Sequence, residues 1–192
     1  MTIKNILSIA AIFFGVAFLA VAASAGPSTS LVLQMFGEGI QVGNLNDVSK
    51  RVGVDLSQQD LGFEPTEFAC HEMPIIDPSN KIQLGTGIDC LAGITSDENG
   101  GLTLTGVSIF MLPGGVIVSK GGTSLPAFIN GVGSGDGSRT HITGGFPTTD
   151  NIIATTGDFE GMGGKARLSG MIRASGEQMM FDCLFVIDLT DT

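Results

Sequence analysis

The sequence predicts an all-β domain whose antiparallel strands close into a barrel, and three observations carry that prediction. Downstream of residue 26 the recurring pattern is alternation of apolar and polar residues with period two, and no amphipathic helix pattern is found. Turn-forming residues interrupt the alternation at short intervals, and the chain holds 29 glycines. The last strand is apolar on both faces: Phe181, Cys183, Phe185, Ile187 and Leu189 lie on one, Leu184 and Val186 on the other with Asp182 and Asp188. Such a strand needs a core on one side and a second packed surface on the other. Closing the sheet removes the open edges through which sheets aggregate.

The elements follow in order. Residues 1–25 read as a secretory signal peptide: Lys4 starts it, an apolar run from Ile6 to Leu19 follows, and Ala23-Ser24-Ala25 is a small-x-small cleavage site. The apolar run is short for a membrane span. Residues 26–192 form a single domain. "SLVLQMFGEGIQVGNLN" reads as a first strand bent near Gly37 and Gly39, and "VSKRVGVDLSQQDLG" as a long polar loop. "TEFACHEMPIID" and "KIQLGTGIDCLAGI" are strands joined by the turn "DPSN", in which Pro fixes φ and Asp and Asn bond back to the backbone. After the turn "SDENGG", "LTLTGVSIFML" and "VIVSKGGTSLPAF" make a hairpin around "PGG". "NGVGSGDGS" is an exposed loop and "RTHITGGF" a short strand. "NIIATTGDF" leads into "GKARLSGMIRA", and "SGEQ" turns into the final strand "MMFDCLFVIDL". The count is eight strands, nine segments at most.

Charge and composition exclude several classes. The net charge is −10, and removal of residues 1–25, which carry one Lys and no acid, takes it to −11. Such a surface repels phosphates and anionic membranes, so neither nucleic acid nor stable membrane insertion after cleavage is expected. There is no Trp and no Tyr, and no basic–aromatic interleaving for stacking bases. Three cysteines in an exported chain imply one disulfide and one leftover thiol, with three pairings open. A Cys70–Cys90 bond closes a short loop and contributes about 3 kcal/mol. Simple hairpin counting sets Cys70 a few residues out of register with Cys90.

The stretch "TTGDFEGMGGKARLSGMI" (155–172) raises the alternatives of a phosphate loop, a metal loop or a bend. No G-x-x-x-x-G-K-[ST] occurs, and the residues that follow alternate as a strand. Asp158 and Glu160 lack the regular oxygen spacing of a calcium loop. The bend remains, with Phe159 plugging the core. Scattered His and Cys lack zinc spacing, so no metal is expected.

On these residues the chain resembles the allene oxide cyclase barrel family, which is related to plant dirigent proteins. "TGDFEGMGGKARLSG" is similar to its G-x-F-E-G-A-x-G motif. "SIFMLPGGVIVSKG" fits its paired strands, "LGTGIDCL" its cysteine-bearing segment, and "NLND" (44–47) a polar stretch of its first strand. The likeness covers residues 40–189. It implies an eight-stranded antiparallel barrel that holds a small hydrophobic molecule in its lumen, often as a homotrimer. It implies a cofactor-free isomerase or cyclase, or a non-catalytic stereochemical guide, working by proximity and orientation. The family's first-strand glutamate falls near Val42 here and its tyrosine at Gly114. A structural exported protein is the third reading.

The candidate site residues are Cys90, Asn44, His71 and Glu72. Cys90 and Asn44 come from the resemblance, and Cys90 is equally a half-cystine with Cys70. His71 and Glu72 are adjacent on a strand, so they point to opposite faces and one of them is exposed. Asp89 is read as an anchor for a loop and His141 as a surface residue. Phe110, Phe128, Phe146, Phe159, Phe181, Phe185, Met111, Met171 and Met179 are assigned to the core. The expected location is secreted or periplasmic.

Overall fold

The structure is a computed structural model that describes residues 28–130, 138–145, 150–175 and 178–191. The signal-peptide reading, Phe146 and most of the "NGVGSGDGS" loop lie outside the described residues.

The alternating segments all form strands. They are β1 (Ser28–Glu38), β2 (Ile40–Gly43), β3 (Ala69–Ile76), β4 (Gln83–Ser96), β5 (Leu102–Leu112) and β6 (Gly115–Leu125). β7 (Ile129–Asn130), β8 (Ser138–Gly144), β9 (Ile152–Thr155), β10 (Met162–Ser175) and β11 (Gln178–Asp191) follow. Every pairing is antiparallel, in the order β8-β10-β11-β1-β3-β4-β5-β6, and β6 pairs back to β8. The result is a closed eight-stranded barrel. β2 continues β1 beyond the bend at Gly37–Gly39 and pairs with β3. β9 runs beside β6, and β7 lies along β8.

One side chain completes the closure that the β6–β8 ladder begins. Between β6 and β10 the backbone ladder is interrupted, because β8 ends and β9 begins there. Asn151 fills the interruption: its Oδ1 accepts from the Ala166 N–H at 2.7 Å and its Nδ2 donates to the Ala166 carbonyl at 3.0 Å. Its own N–H donates to the Gly164 carbonyl at 2.9 Å, and its carbonyl accepts from the Lys120 N–H at 2.9 Å. The amide thus copies a peptide unit and ties both sides of the seam.

Closure gives every long strand an inner and an outer face. The inner face packs Leu33, Met35, Met73, Ile75, Phe110, Phe181, Phe185 and Ile187 into one core. Phe159 and Phe128 pack against it as the composition suggested. The outer faces of β3 to β6 carry a second core, covered by α1 (Leu45–Val52) and residues 53–68.

Helix α1 corrects the reading of that stretch as a loop. Asn44 caps it, its side chain accepting from the Asp47 N–H at 3.1 Å. Asp47 lies in the first turn, Lys50 and Arg51 in the last, and Gly53 closes it in the left-handed region. Leu45, Val48 and Val52 stand at i, i+3 and i+7 on the face that α1 turns to the sheet. Burial of Leu45 and Val48 against the sheet stabilises its two turns.

The 155–172 stretch is a bend. Residues Gly157–Phe159 make one 3₁₀ turn, and the Asp158 N–H donates to the Gly114 carbonyl at 2.7 Å. Gly157 has φ +65°, and a Cβ there would stand 2.3 Å from the Gly114 oxygen, so only glycine fits this crossing.

The Cys70–Cys90 pairing holds, and two other expectations are corrected. Hairpin counting set these cysteines out of register, but they are directly opposite in the β3–β4 ladder and form a disulfide. The hairpin loop is wider than the four-residue turn, since Asp77 N–H bonds to the Ile82 carbonyl, and a bulge at Ile75/Ile76 adds a shift. Met171 is exposed, because it shares its face with Arg167, Ser169 and Arg173. The disulfide fits an oxidising, extracytoplasmic compartment. No helix among the described residues is long and apolar enough to cross a membrane.

Asn151→Ala removes two buried hydrogen bonds and leaves the Ala166 N–H and carbonyl unpaired. It should lower unfolding free energy by about 3 kcal/mol, whereas Thr143→Ala on the outer face should change it by less than about 0.5 kcal/mol. Urea denaturation followed by circular dichroism measures both.

Candidate functional site

A polar row crosses the largely apolar lumen. In the ladders, His71 is opposite Asp89, Asp89 opposite Ser108, and Ser108 opposite Ser119. Residues opposite one another in a ladder share a face. His71 shares its face with Met73 and Ile75, Asp89 with Leu91, and Ser108 with Phe110, all of them in the inner core. Four adjacent strands therefore present imidazole, carboxyl and two hydroxyls at one level of the tube. Phe181, Cys183 and Phe185 of β11 close the opposite side, with Phe185 edge-on to Phe110 at 4.9 Å and Phe181 tilted against His71 at 6.1 Å.

Asp89 is buried, at 6% exposure. The Ser108 hydroxyl donates to its Oδ1 at 2.8 Å. Burial raises its pKa from 3.8 to about 6; the Ser108 hydrogen bond opposes the rise and loses to desolvation. Burial holds the His71 imidazole below its usual value, and its buried Nδ1 has no hydrogen-bond partner among the described residues. Cys183 is a free, buried thiol. Burial pushes its pKa up, and the charges of Asp89 and Asp182 add to the rise, so it remains a thiol at neutral pH.

The lumen beside this row is closely filled. A cavity of about 20 Å³ lies among Ser108, Ser119, Thr123, Asn151 and Phe185, room for one water molecule. Next to Asp89, Met35 lies over Gly87: a Cβ at Gly87 would come within 2.6 Å of the Met35 methyl carbon. The thioether occupies the space that the glycine leaves free.

The sequence candidates divide between the two faces. His71 faces the lumen. Glu72 faces outward and pairs with Arg51 of α1. Cys90 also faces outward, beneath α1, and its sulfur is bonded to Cys70, so it offers no nucleophile to the lumen. Asn44 is the cap of α1. His141 is exposed, 3.3 Å from the Ser169 hydroxyl. Asp89 and Ser108 are the residues that sequence reasoning missed: Asp89 anchors no loop and instead projects inward. The parity of "GIDCL" held the signal, since Asp89 alternates with Leu91 and opposes Cys90 in direction. Apolar residues on both faces of β4 concealed which face was the lumen.

No group of three or more His, Cys, Asp or Glu side chains able to hold a metal ion occurs among the described residues. The row can exchange a proton at Asp89, donate or accept hydrogen bonds at the two hydroxyls, and accept one at His71. Comparison with family models, curated proteins and solved structures gives no match.

The Asp89 shift has a stability consequence with a definite sign. The folded pKa of about 6 exceeds the unfolded 3.8, so the stability it contributes is complete below pH 3.8 and is lost as pH rises through 6. Relative to Asp89→Asn, the wild-type protein should lose about 3 kcal/mol between pH 3.5 and pH 7 and nothing further above that. Urea midpoints measured across that range check it; parallel curves for the two proteins would remove Asp89 from the dry interior.

Proposed function

We propose that the protein is an exported barrel that takes a small apolar molecule into its lumen and acts on it at Asp89, in the manner of a cofactor-free isomerase or cyclase. One observation carries this reading: an ionisable carboxyl stands inside the barrel, held near neutrality, beside a hydroxyl and in a row with an imidazole. A core that serves only for packing gains nothing from such a group, since burying it costs folding free energy that Leu or Val would return. Groups with displaced pKa values cluster where proton transfer is needed.

The chemistry needs no co-reactant. A protonated Asp89 gives its proton to an oxygen of the bound molecule, and the carboxylate recovers a proton from another atom of the same molecule, so an isomerisation balances. Ser108 orients the carboxyl, and His71 offers a lone pair to a hydroxyl of the ligand. The apolar wall supplies orientation and excludes water. Entry requires Met35 to leave the space above Gly87, which an unbranched thioether does at low cost. The dirigent-like alternative uses the same lumen without the proton transfer. The resemblance to the allene oxide cyclase barrel family, the signal-peptide pattern and the disulfide support an exported barrel of this kind.

A structural role is the second reading, favoured by the water-sized cavity at the level of the polar row. Two measurements separate them. Native mass spectrometry after mild purification should show a co-purified apolar ligand, and a fluorescent fatty acid should bind, about tenfold more tightly to Met35→Ala than to wild type. Absence of ligand, with no probe binding by either protein, would leave the structural role standing.

A further inference from the structure

Next to the seam, the wall of the lumen is built from glycines and hydroxyls. Gly106 of β5 is opposite Gly121 of β6, and Thr123 of β6 is opposite Gly144 of β8. Strand alternation puts them on the same inward face as Ser108 and Ser119. The side chains that these glycines lack leave the cavity of about 20 Å³. The Thr123 hydroxyl is turned into that space. A Cβ at Gly144 would stand 2.8 Å from its Oγ1, and a Cβ at Gly106 3.3 Å from it. The Asn151 amide approaches from the seam, its Nδ2 lying 3.6 Å from the place of a Cβ on Gly121.

The polar atoms around this cavity have bonding capacity left over. Ser119 is 5% exposed and Thr123 7%, and neither hydroxyl has a hydrogen-bond partner among the described residues. Asn151 Nδ2 carries two hydrogens, and one of them goes to the Ala166 carbonyl. Ser108 gives its hydrogen to Asp89, and its oxygen can still accept. Burying a hydroxyl without a partner costs folding free energy. An apolar gap stays dry, whereas a water-sized space with several polar neighbours holds an ordered water.

We propose that one water molecule is bound here as a fixed part of the lumen, linking the Asn151 amide to Ser108 and through it to Asp89. The water accepts from the second Nδ2 hydrogen and from the Ser119 hydroxyl. It donates to Ser108 Oγ and to Thr123 Oγ1, which completes its four bonds. The donors then run in one direction: Asn151 to water, water to Ser108, Ser108 to the Asp89 carboxyl. Each donation polarises the next, so the chain strengthens the hydrogen bond that Asp89 receives. The seam amide and the ionisable group of the lumen are thereby coupled. This holds whether or not the barrel acts on a ligand, since an empty barrel keeps the same water.

Oxygen-17 magnetic relaxation dispersion, which counts long-lived internal waters, tests the proposal on the folded protein. Gly106→Ala puts a methyl group in the water's space, and Thr123 has only to yield slightly. It should lower the dispersion amplitude by one water with an unchanged circular dichroism spectrum. It should also raise the Asp89 midpoint in a ¹³C titration by about 0.3 on the pH scale, because Ser108 then donates less strongly. Thr123→Val keeps the shape and removes one acceptor, and should shorten the residence of the water about fivefold. Thr143→Ala on the outer face should change neither reading. His71 and Cys183, the other titratable groups that face Asp89, are the same in all these proteins. A wild-type crystal structure should show one water within about 3 Å of both Asn151 Nδ2 and Ser108 Oγ. An empty cavity there would overturn the proposal without any variant. So would an amplitude that Gly106→Ala leaves intact, or loss of the water with the Asp89 midpoint unmoved.

Discussion

The structure depends on the closure of its sheet. Eight strands enclose a dry interior only if the seam between β6 and β10 is hydrogen-bonded along its length, and no single strand spans that seam. β8 covers one part, β9 the other, and the Asn151 amide joins them by pairing with both polar groups of Ala166. An open seam would admit water to the lumen and expose two strand edges. Asp89 would then be an ordinary hydrated carboxylate. Backbone closure and the chemistry of the interior are therefore one physical problem.

Closure also divides the outer surface. The side opposite the seam's basic strand receives the α1 layer, and the Cys70–Cys90 bond lies beneath it as a cross-strand staple. The other side receives no apolar cover from the described residues; only Lys81 reaches it, donating to Gln34 at 3.0 Å. This explains a feature of β11 visible from its residues: Leu184 and Val186 are apolar on the face turned away from the lumen. Among the described residues nothing supplies the second packed surface that they call for, while for β4 and β5 it is supplied by Val48, Leu56 and Phe68.

Much of the fold was legible because a strand announces itself over four to eight residues. The β5–β6 hairpin follows from "LTLTGVSIFML" and its Pro-Gly-Gly turn, and β11 from its inward Phe181–Leu189 series. α1 carried its signals and was passed over: Leu45, Val48 and Val52 stand at i, i+3 and i+7, between the capping Asn44 and the closing Gly53, but over only two turns, and polar residues fill the rest. The site was legible in part. Strand parity sends His71 and Glu72 to opposite faces, and it sends Asp89, read as a loop anchor, to the face opposite Cys90. Alternation says that two neighbours part ways; it does not say which of them faces inward when both faces are buried. That choice is made by the cover of α1, a tertiary fact. Cys90 and Asn44 entered by resemblance and proved to hold the outer layer together: one is disulfide-bonded and the other is a helix cap.

Asp89 is where stability and function pull against each other. Desolvation disfavours its charge, and one hydrogen bond from Ser108 returns only part of that cost. The direct measurement is a ¹³C NMR titration of the Asp89 carboxyl carbon in the folded protein. A closed, dry lumen predicts a midpoint about 6. A midpoint at the ordinary aspartate value of about 3.9 would mean that water reaches the carboxylate, and would contradict the enclosed site on which the proposed chemistry rests.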